Sequence, residues 1–246
     1  HSMGAQIASL YAGIRPERIS QLVILDGLFL PDTPSDQAPK RYRSWLHQLQ
    51  DPPQARVYAD FHSLATRIQK QHPSLSAPRA LEVAKAWAGE VDGGIRLRMD
   101  PRHRMRGPLL FRAAESKAIW QQITAPTLFV DGGQSAFAQA IDHTERDDRR
   151  ACFRRRDDRM IKDAGHMLHF DAPEQTGEWI ATRLDTYRHL ERLRLELIGG
   201  RVSMGRLASL TGVLQRPGLP AHVSATVREL LDFFDRIGAP RAALAL

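Results

Sequence analysis

The residues best suited to chemistry stand at the very start of the chain. His1-Ser2-Met3-Gly4 leads directly into Ala5-Gln6-Ile7-Ala8-Ser9-Leu10-Tyr11-Ala12, a run that favours a helix. With one glycine in front, the start would read G-H-S-M-G, the pattern of a serine held on a tight strand-to-helix turn with its hydroxyl pushed outward as a nucleophile. Small residues at Gly4 and Ala5 would let a strand and a helix cross closely at that turn. A helix beginning just after Ser2 would aim free N–H groups and its positive dipole end at an oxyanion formed there. The same four residues also read as an expression scar ahead of an initiator methionine. The elements that follow must separate the two readings.

Behind the helix, Ile14-Arg15-Pro16-Glu17-Arg18 makes a proline turn, and Ile19 to Leu25 has the length and branching of a buried strand. That strand ends at Asp26-Gly27. Binding groups collect at the carboxyl ends of parallel strands, which makes Asp26 a candidate acid; an Asp-Gly pair is also ordinary turn chemistry. A second apolar run, Ala125-Pro126-Thr127-Leu128-Phe129-Val130, ends at Asp131-Gly132-Gly133. Residues 152–161 form a charged, strand-like segment, and then Gly165 precedes His166 in a loop closed by Pro173-Glu174, which opens a long helix.

Taken in order, HSMG with its helix, IRPERISQLVILDG, APTLFVDGG and DAGHMLHFDAPE resemble the C-terminal part of an α/β-hydrolase, closest to the serine hydrolase-like proteins of that superfamily, over roughly residues 1 to 184. The resemblance implies an α/β class with a partial parallel sheet, flanking helices and a helical cap insertion. It also implies Ser2 as nucleophile, His166 as base and the Met3 N–H as one oxyanion donor, the other coming from a loop upstream of residue 1. The family's acid commonly stands in a G-x-x-D turn past the second apolar run, and counting along this chain puts that position at Ser135. Asp26 is therefore the first choice for the acid, since some superfamily members carry it after that earlier strand; Asp131 is second and Asp142 third. His169 rivals His166 but reads as packing against or capping the next helix, and His103, set among arginines, reads as solvated. The chain is expected to be truncated at the nucleophile turn, to lack early strands and to expose a sheet edge that favours self-association.

The expected organisation is hydrolase core over 1–33, a helical cap over 34–118, core again over 119–198 and a helical extension over 199–246. Helical spacing supports the cap: Tyr42, Trp45, Leu46 and Leu49, then Tyr58, Phe61, Leu64, Ala65 and Ile68, then Leu81, Val83, Ala84 and Trp87. Trp45, Phe61 and Trp87 are expected to fill its core. Alternation at Ile95, Leu97 and Met99 predicts a short extended segment. The long helix runs over 173–197, and the extension is read as helices near 203–214 and 222–237, the latter with Leu230, Leu231, Phe233, Phe234 and Ile237 on one face.

Composition narrows the function classes. With 246 residues, 42% hydrophobic and 26% charged, the chain can bury a full core. No run approaches a membrane span, and the single Cys152 excludes an internal disulfide and fits a reducing, cytoplasmic compartment. All but five of the 35 basic residues are arginine, giving a net charge of +7. They are scattered, and the densest group, Arg149-Arg150 to Arg156, is mixed with Asp147, Asp148, Asp157 and Asp158, so it reads as a self-compensating solvated surface and not a nucleic-acid site. No metal-ligand set, phosphate loop or cofactor motif is visible. Two functions follow: a serine hydrolase acting on a small-molecule acyl substrate, impaired by truncation, or a noncatalytic α/β-hydrolase-like interaction module.

Overall fold

The computed structural model describes residues 1–198. The helices expected near 203–214 and 222–237 lie outside the described residues, as do the side chains of Leu190, Leu193 and Leu197. The chain divides into two units, one made of His1–Phe29 with the chain from Ala114 onward, the other of Leu30–Ala113.

The first unit opens with helix α1 (Met3–Ile14) and, after a 3-10 turn at Pro16–Arg18, strand β1 (Leu22–Leu25). The inserted unit then contributes α2 (Ala38–Gln50), β2 (Val57–Tyr58), α3 (Phe61–Gln71), α4 (Ala77–Trp87), β3 (Ala88–Val91) and β4 (Gly94–Leu97). The three expected helices are present, and α3 is started by an Asp60–Ser63 capping box. Helices α3 and α4 bury Leu64, Ala65, Ile68, Ala80 and Ala84. Helix α2, by contrast, buries no residue; Tyr42, Leu46 and Leu49 are exposed and Trp45 is half-buried. Trp87 is exposed too and Phe61 is half-buried, so none of the three expected aromatics is fully buried in this unit, whereas Tyr58 is. The predicted extended segment is β4, but it lies in a three-stranded antiparallel sheet, β2-β4-β3, that helical periodicity did not reveal. Its hairpin turns on Asp92-Gly93, where Gly93 takes φ 81, a backbone that glycine alone adopts freely.

The first unit resumes with α5 (Ala113–Trp120), β5 (Thr127–Gly132), α6 (His143–Ala151), β6 (Arg156–Ile161), α7 (Leu168–Asp171) and α8 (Pro173–Ile198). Its sheet is parallel in the order β1-β5-β6, with Leu22 opposite Thr127 and Thr127 opposite Arg156. Alternation along the strands feeds two cores. Leu22, Ile24 and Phe129 meet Ala5 and Ala12 of α1, Trp120 of α5 and Phe153 on one face. Val23, Leu25, Leu128 and Val130 meet Ile161, Ala164, Leu168 and Trp179 on the other. Every residue of β5 is buried, as a central strand covered on both faces requires.

Two local expectations change. Gly4 has open space where a Cβ would be, whereas Ala5 does lie at a tight crossing, where a Cβ on Gly27 would come within 2.5 Å of its own; a further crossing is at Gly13, whose Cβ would collide with the Ile119 carbonyl. Arg149 and Arg150 do not belong to a solvated cluster. Both are buried: Arg149 bonds Glu145 at 2.7 Å and the Leu28 carbonyl at 2.6 Å, and Arg150 bridges Asp131 and Asp158 while lying over the Phe129 ring. A surface reading failed because charged spacing does not tell which arginines a neighbouring acid will draw inward.

Candidate active site

Ser2 sits between β1 and α1 with φ 53 and ψ −122, a backbone that costs an L-residue energy and so must be held by its surroundings. The hold comes from the Ser2 N–H, which donates to the Leu25 carbonyl at 3.1 Å, and from α1, whose first-turn amides bond back to the His1 and Ser2 carbonyls. Met3 is the first residue of α1, so its N–H has no intrahelical acceptor and points its dipole outward at the helix start.

Asp26 follows β1, completely buried, with φ 42 and its N–H donating to the Val130 carbonyl at 2.8 Å. Its Oδ1 accepts from the Gly132 N–H at 2.9 Å. Its Oδ2 accepts from the Ser135 hydroxyl at 2.5 Å and lies 2.6 Å from His166 Nδ1. On the far side of the ring, His166 Nε2 is 3.0 Å from Ser2 Oγ. With Nδ1 carrying the proton toward Asp26, Nε2 is left to accept from the serine. Asp26, His166 and Ser2 thus form one hydrogen-bonded chain, the arrangement in which an imidazole takes a hydroxyl proton and a carboxylate steadies the resulting cation.

The loop that carries His166 is laced to the end of β5. Gly133 donates to the Ile161 carbonyl, Gln134 donates to the Ala164 carbonyl, both at 2.9 Å, and a side chain at Gly132 would collide with the Gly165 carbonyl. Gly165 in turn donates to Asp171 of α7. Around the imidazole, His1 lies with its ring 4.6 Å from that of His166 and its Nε2 2.8 Å from the His166 carbonyl, and Phe137 stacks at 4.2 Å while remaining 57% exposed.

The other candidates have different partners. Asp131 grips Arg150 with both oxygens, at 2.8 and 2.7 Å; burial pushes its carboxyl above the usual range against the pull of Arg150, and Asp26 nearby adds to the rise. Asp142 caps the N-terminus of α6 through Glu145. His169 lies in α7 with its ring against His1 and Phe170, and His103 is exposed in the inserted unit. Sequence reasoning marked position 135 only as the place where an acid was missing, and it overlooked Gly132, Phe137 and the ring contact of His1. Among the described residues no cluster of three His, Cys, Asp or Glu side chains could hold a metal ion, and no helix is long and apolar enough to cross a membrane.

The pattern of the alpha/beta hydrolase fold family is matched over residues 1–173. This chain belongs to the alpha/beta hydrolase fold family. Among solved structures it is similar to the thioesterase domain of the curacin biosynthetic pathway, at 23% identity and a TM-score of 0.60, covering 74% of this chain and 64% of that one. It is also similar to the hypothetical protein PA1622 of Pseudomonas aeruginosa PAO1, at 26% identity and TM-score 0.57, covering 70% and 60%. A third likeness, to E-2-(acetamidomethylene)succinate hydrolase, has 18% identity and TM-score 0.53, covering 75% and 65%. The α/β-hydrolase therefore spans less than two thirds of the length of each of these proteins. A search of curated proteins gave no match.

Proposed function

We propose that this protein is a serine hydrolase that cleaves an ester or related acyl bond of a small molecule through Ser2, His166 and Asp26. The observation that carries the reading is the continuous chain from Asp26 Oδ2 through His166 to Ser2 Oγ, at 2.6 and 3.0 Å. Ser2 Oγ attacks the acyl carbonyl while His166 Nε2 takes its proton. The oxyanion is met by the Met3 N–H at the head of α1. His166 then gives the proton to the departing oxygen, sulfur or nitrogen, leaving an acyl-serine. Water attacks that intermediate, its proton passing to His166 and on to Ser2 as the acid is released. Asp26 keeps the imidazole in the right tautomer and balances the imidazolium. Phe137, largely exposed beside His166, supplies an apolar wall for the substrate. Leu30–Ala113, inserted between the strands that lead to Asp26 and Asp131, is proposed as the helical cap that selects the acyl or leaving group, and the single buried Cys152 supports a cytoplasmic setting.

A fluorophosphonate probe tests the proposal by forming a covalent bond to an activated serine. Labelling that is stoichiometric and vanishes in Ser2→Ala is the expected result. Absence of Ser2-dependent labelling in the folded protein would instead favour the second reading, a noncatalytic α/β-hydrolase-like module.

A further inference from the structure

Ser135 stands at the position where the resemblance to the α/β-hydrolases places the acid, and it is 2% exposed. Its hydroxyl donates to Asp26 Oδ2, the same oxygen that faces His166 Nδ1, while Gly132 N–H holds Oδ1. A carboxylate that is fully buried and ends a strand on a left-handed backbone has few ways to keep one orientation. Two donors from the end of β5, one on each oxygen, remove its rotation about the Cβ–Cγ bond. We propose that Ser135, three residues past β5, is a positioning residue for the triad acid Asp26. This rests on the hydrolase reading of Ser2, His166 and Asp26.

The two seats are close enough to be exchanged. The Ser135 oxygen already touches the carboxylate oxygen that bonds His166, so an aspartate at 135 reaches about one bond further, into the volume that Asp26 would vacate when shortened to serine. The charged and titratable groups that also bear on this site are the His1 ring, His169 against His1, and Asp131 with its partner Arg150. None of them is altered in the variants below.

The experiment compares the full chain with Ser135→Ala, Asp26→Ser and Asp26→Ser/Ser135→Asp, reading ester turnover against pH and the His166 Nδ1–H proton resonance. In Ser135→Ala, loss of one charge-assisted hydrogen bond is expected to lower kcat about 10-fold with KM unchanged. The acid limb of kcat/KM should move to higher pH, because Oδ2, relieved of the serine donor, holds the imidazolium more strongly. Asp26→Ser should lose nearly all turnover, and the exchange variant should recover at least roughly 10-fold over it and regain the downfield Nδ1–H signal. Unchanged kcat and pH profile in Ser135→Ala, together with an exchange variant no better than Asp26→Ser, would overturn the proposal. If the unsubstituted protein has no Ser2-dependent turnover, the hydrolase reading fails separately. The resonance then decides: lost or shifted in Ser135→Ala and regained in the exchange variant, the positioning stands; unmoved by Ser135→Ala, it falls.

Discussion

Asp26 and Asp131 end neighbouring parallel strands, yet their surroundings give them different work. Asp131 spends both oxygens on Arg150, which is itself buried over Phe129, so that carboxylate belongs to the packing of α6 on the sheet. Asp26 instead collects the neutral donors Gly132 and Ser135 on one side and His166 on the other. Asp26→Asn keeps the size but presents an amide where Nδ1–H needs an acceptor, favouring the wrong tautomer. Turnover is expected to fall by about 10⁴ in kcat, with the fold intact. Asp131→Asn should leave kcat within about threefold but cost roughly 3 kcal/mol of stability by stranding much of the Arg150 charge. Steady-state kinetics and urea unfolding on both variants check this, and a larger kcat loss in Asp131→Asn would move the acid role to Asp131.

The elements hold the site through a few close contacts. Helix α1 must pass near α5, and Gly13 allows it; Gly13→Ala would press a methyl group into the Ile119 carbonyl, with an expected loss of about 1–3 kcal/mol. Gly4, in the same helix but facing open space, should behave oppositely: Gly4→Ala is expected to gain about 0.5–1 kcal/mol from helix propensity. Thermal unfolding of the pair tests whether backbone crossing or motif spacing governs α1. Helix α6 braces the loop after Asp26, because Arg149, oriented by Glu145, holds the Leu28 carbonyl on a backbone with φ 69. Burial alone would raise the Glu145 carboxyl, but hydrogen bonds from Lys117 and Arg149 bring it below the ordinary value of 4.5. A depressed folded value means that the stabilisation exists above the unfolded pKa and is lost as pH falls through the folded one. Glu145→Gln should therefore be less stable by about 1 kcal/mol at pH 7, and the gap should close as pH falls through the depressed folded value, below the ordinary 4.5. A gap that persists in acid would show that Glu145 acts through packing instead.

On the scale of the whole molecule, the parallel sheet has two different borders among the described residues. Strand β6 carries Arg156, Asp157, Asp158 and Arg159, charges that discourage strand addition, whereas β1 is the apolar Leu-Val-Ile-Leu and pairs with β5 on one side. The inserted unit has an exposed apolar surface on α2, where Tyr42, Leu46 and Leu49 face solvent within Leu30–Ala113. Self-association through α2 would be read as a sedimentation coefficient that rises with concentration, and Tyr42→Lys with Leu46→Lys is expected to lower that rise. A rise that the two substitutions leave unchanged would rule α2 out as its source.

What the sequence determined by itself was the order of elements and the identity of the family. The apolar runs at 19–25 and 125–130, the Ser2 turn and the glycine before His166 are local patterns, written by chain periodicity and turn chemistry; the runs form β1 over Leu22–Leu25 and β5 over Thr127–Gly132, shorter by three residues at the start of the first and shifted by two in the second. Periodicity could not see the small sheet of the inserted unit, because Ala88–Val91 becomes a strand only through pairing across the Asp92-Gly93 turn. Nor did periodicity rank the acids; the order with Asp26 first came from the family resemblance. Asp26 and Asp131 each follow or end a buried strand before a glycine, and nothing in that local pattern tells them apart. Their roles were decided by partners more than 100 residues from Asp26 and 19 from Asp131: Ser135, Gly132 and His166 for the one, Arg150 for the other. Orientation of a buried charge is a property of every group packed around it, and those groups meet only in the folded chain.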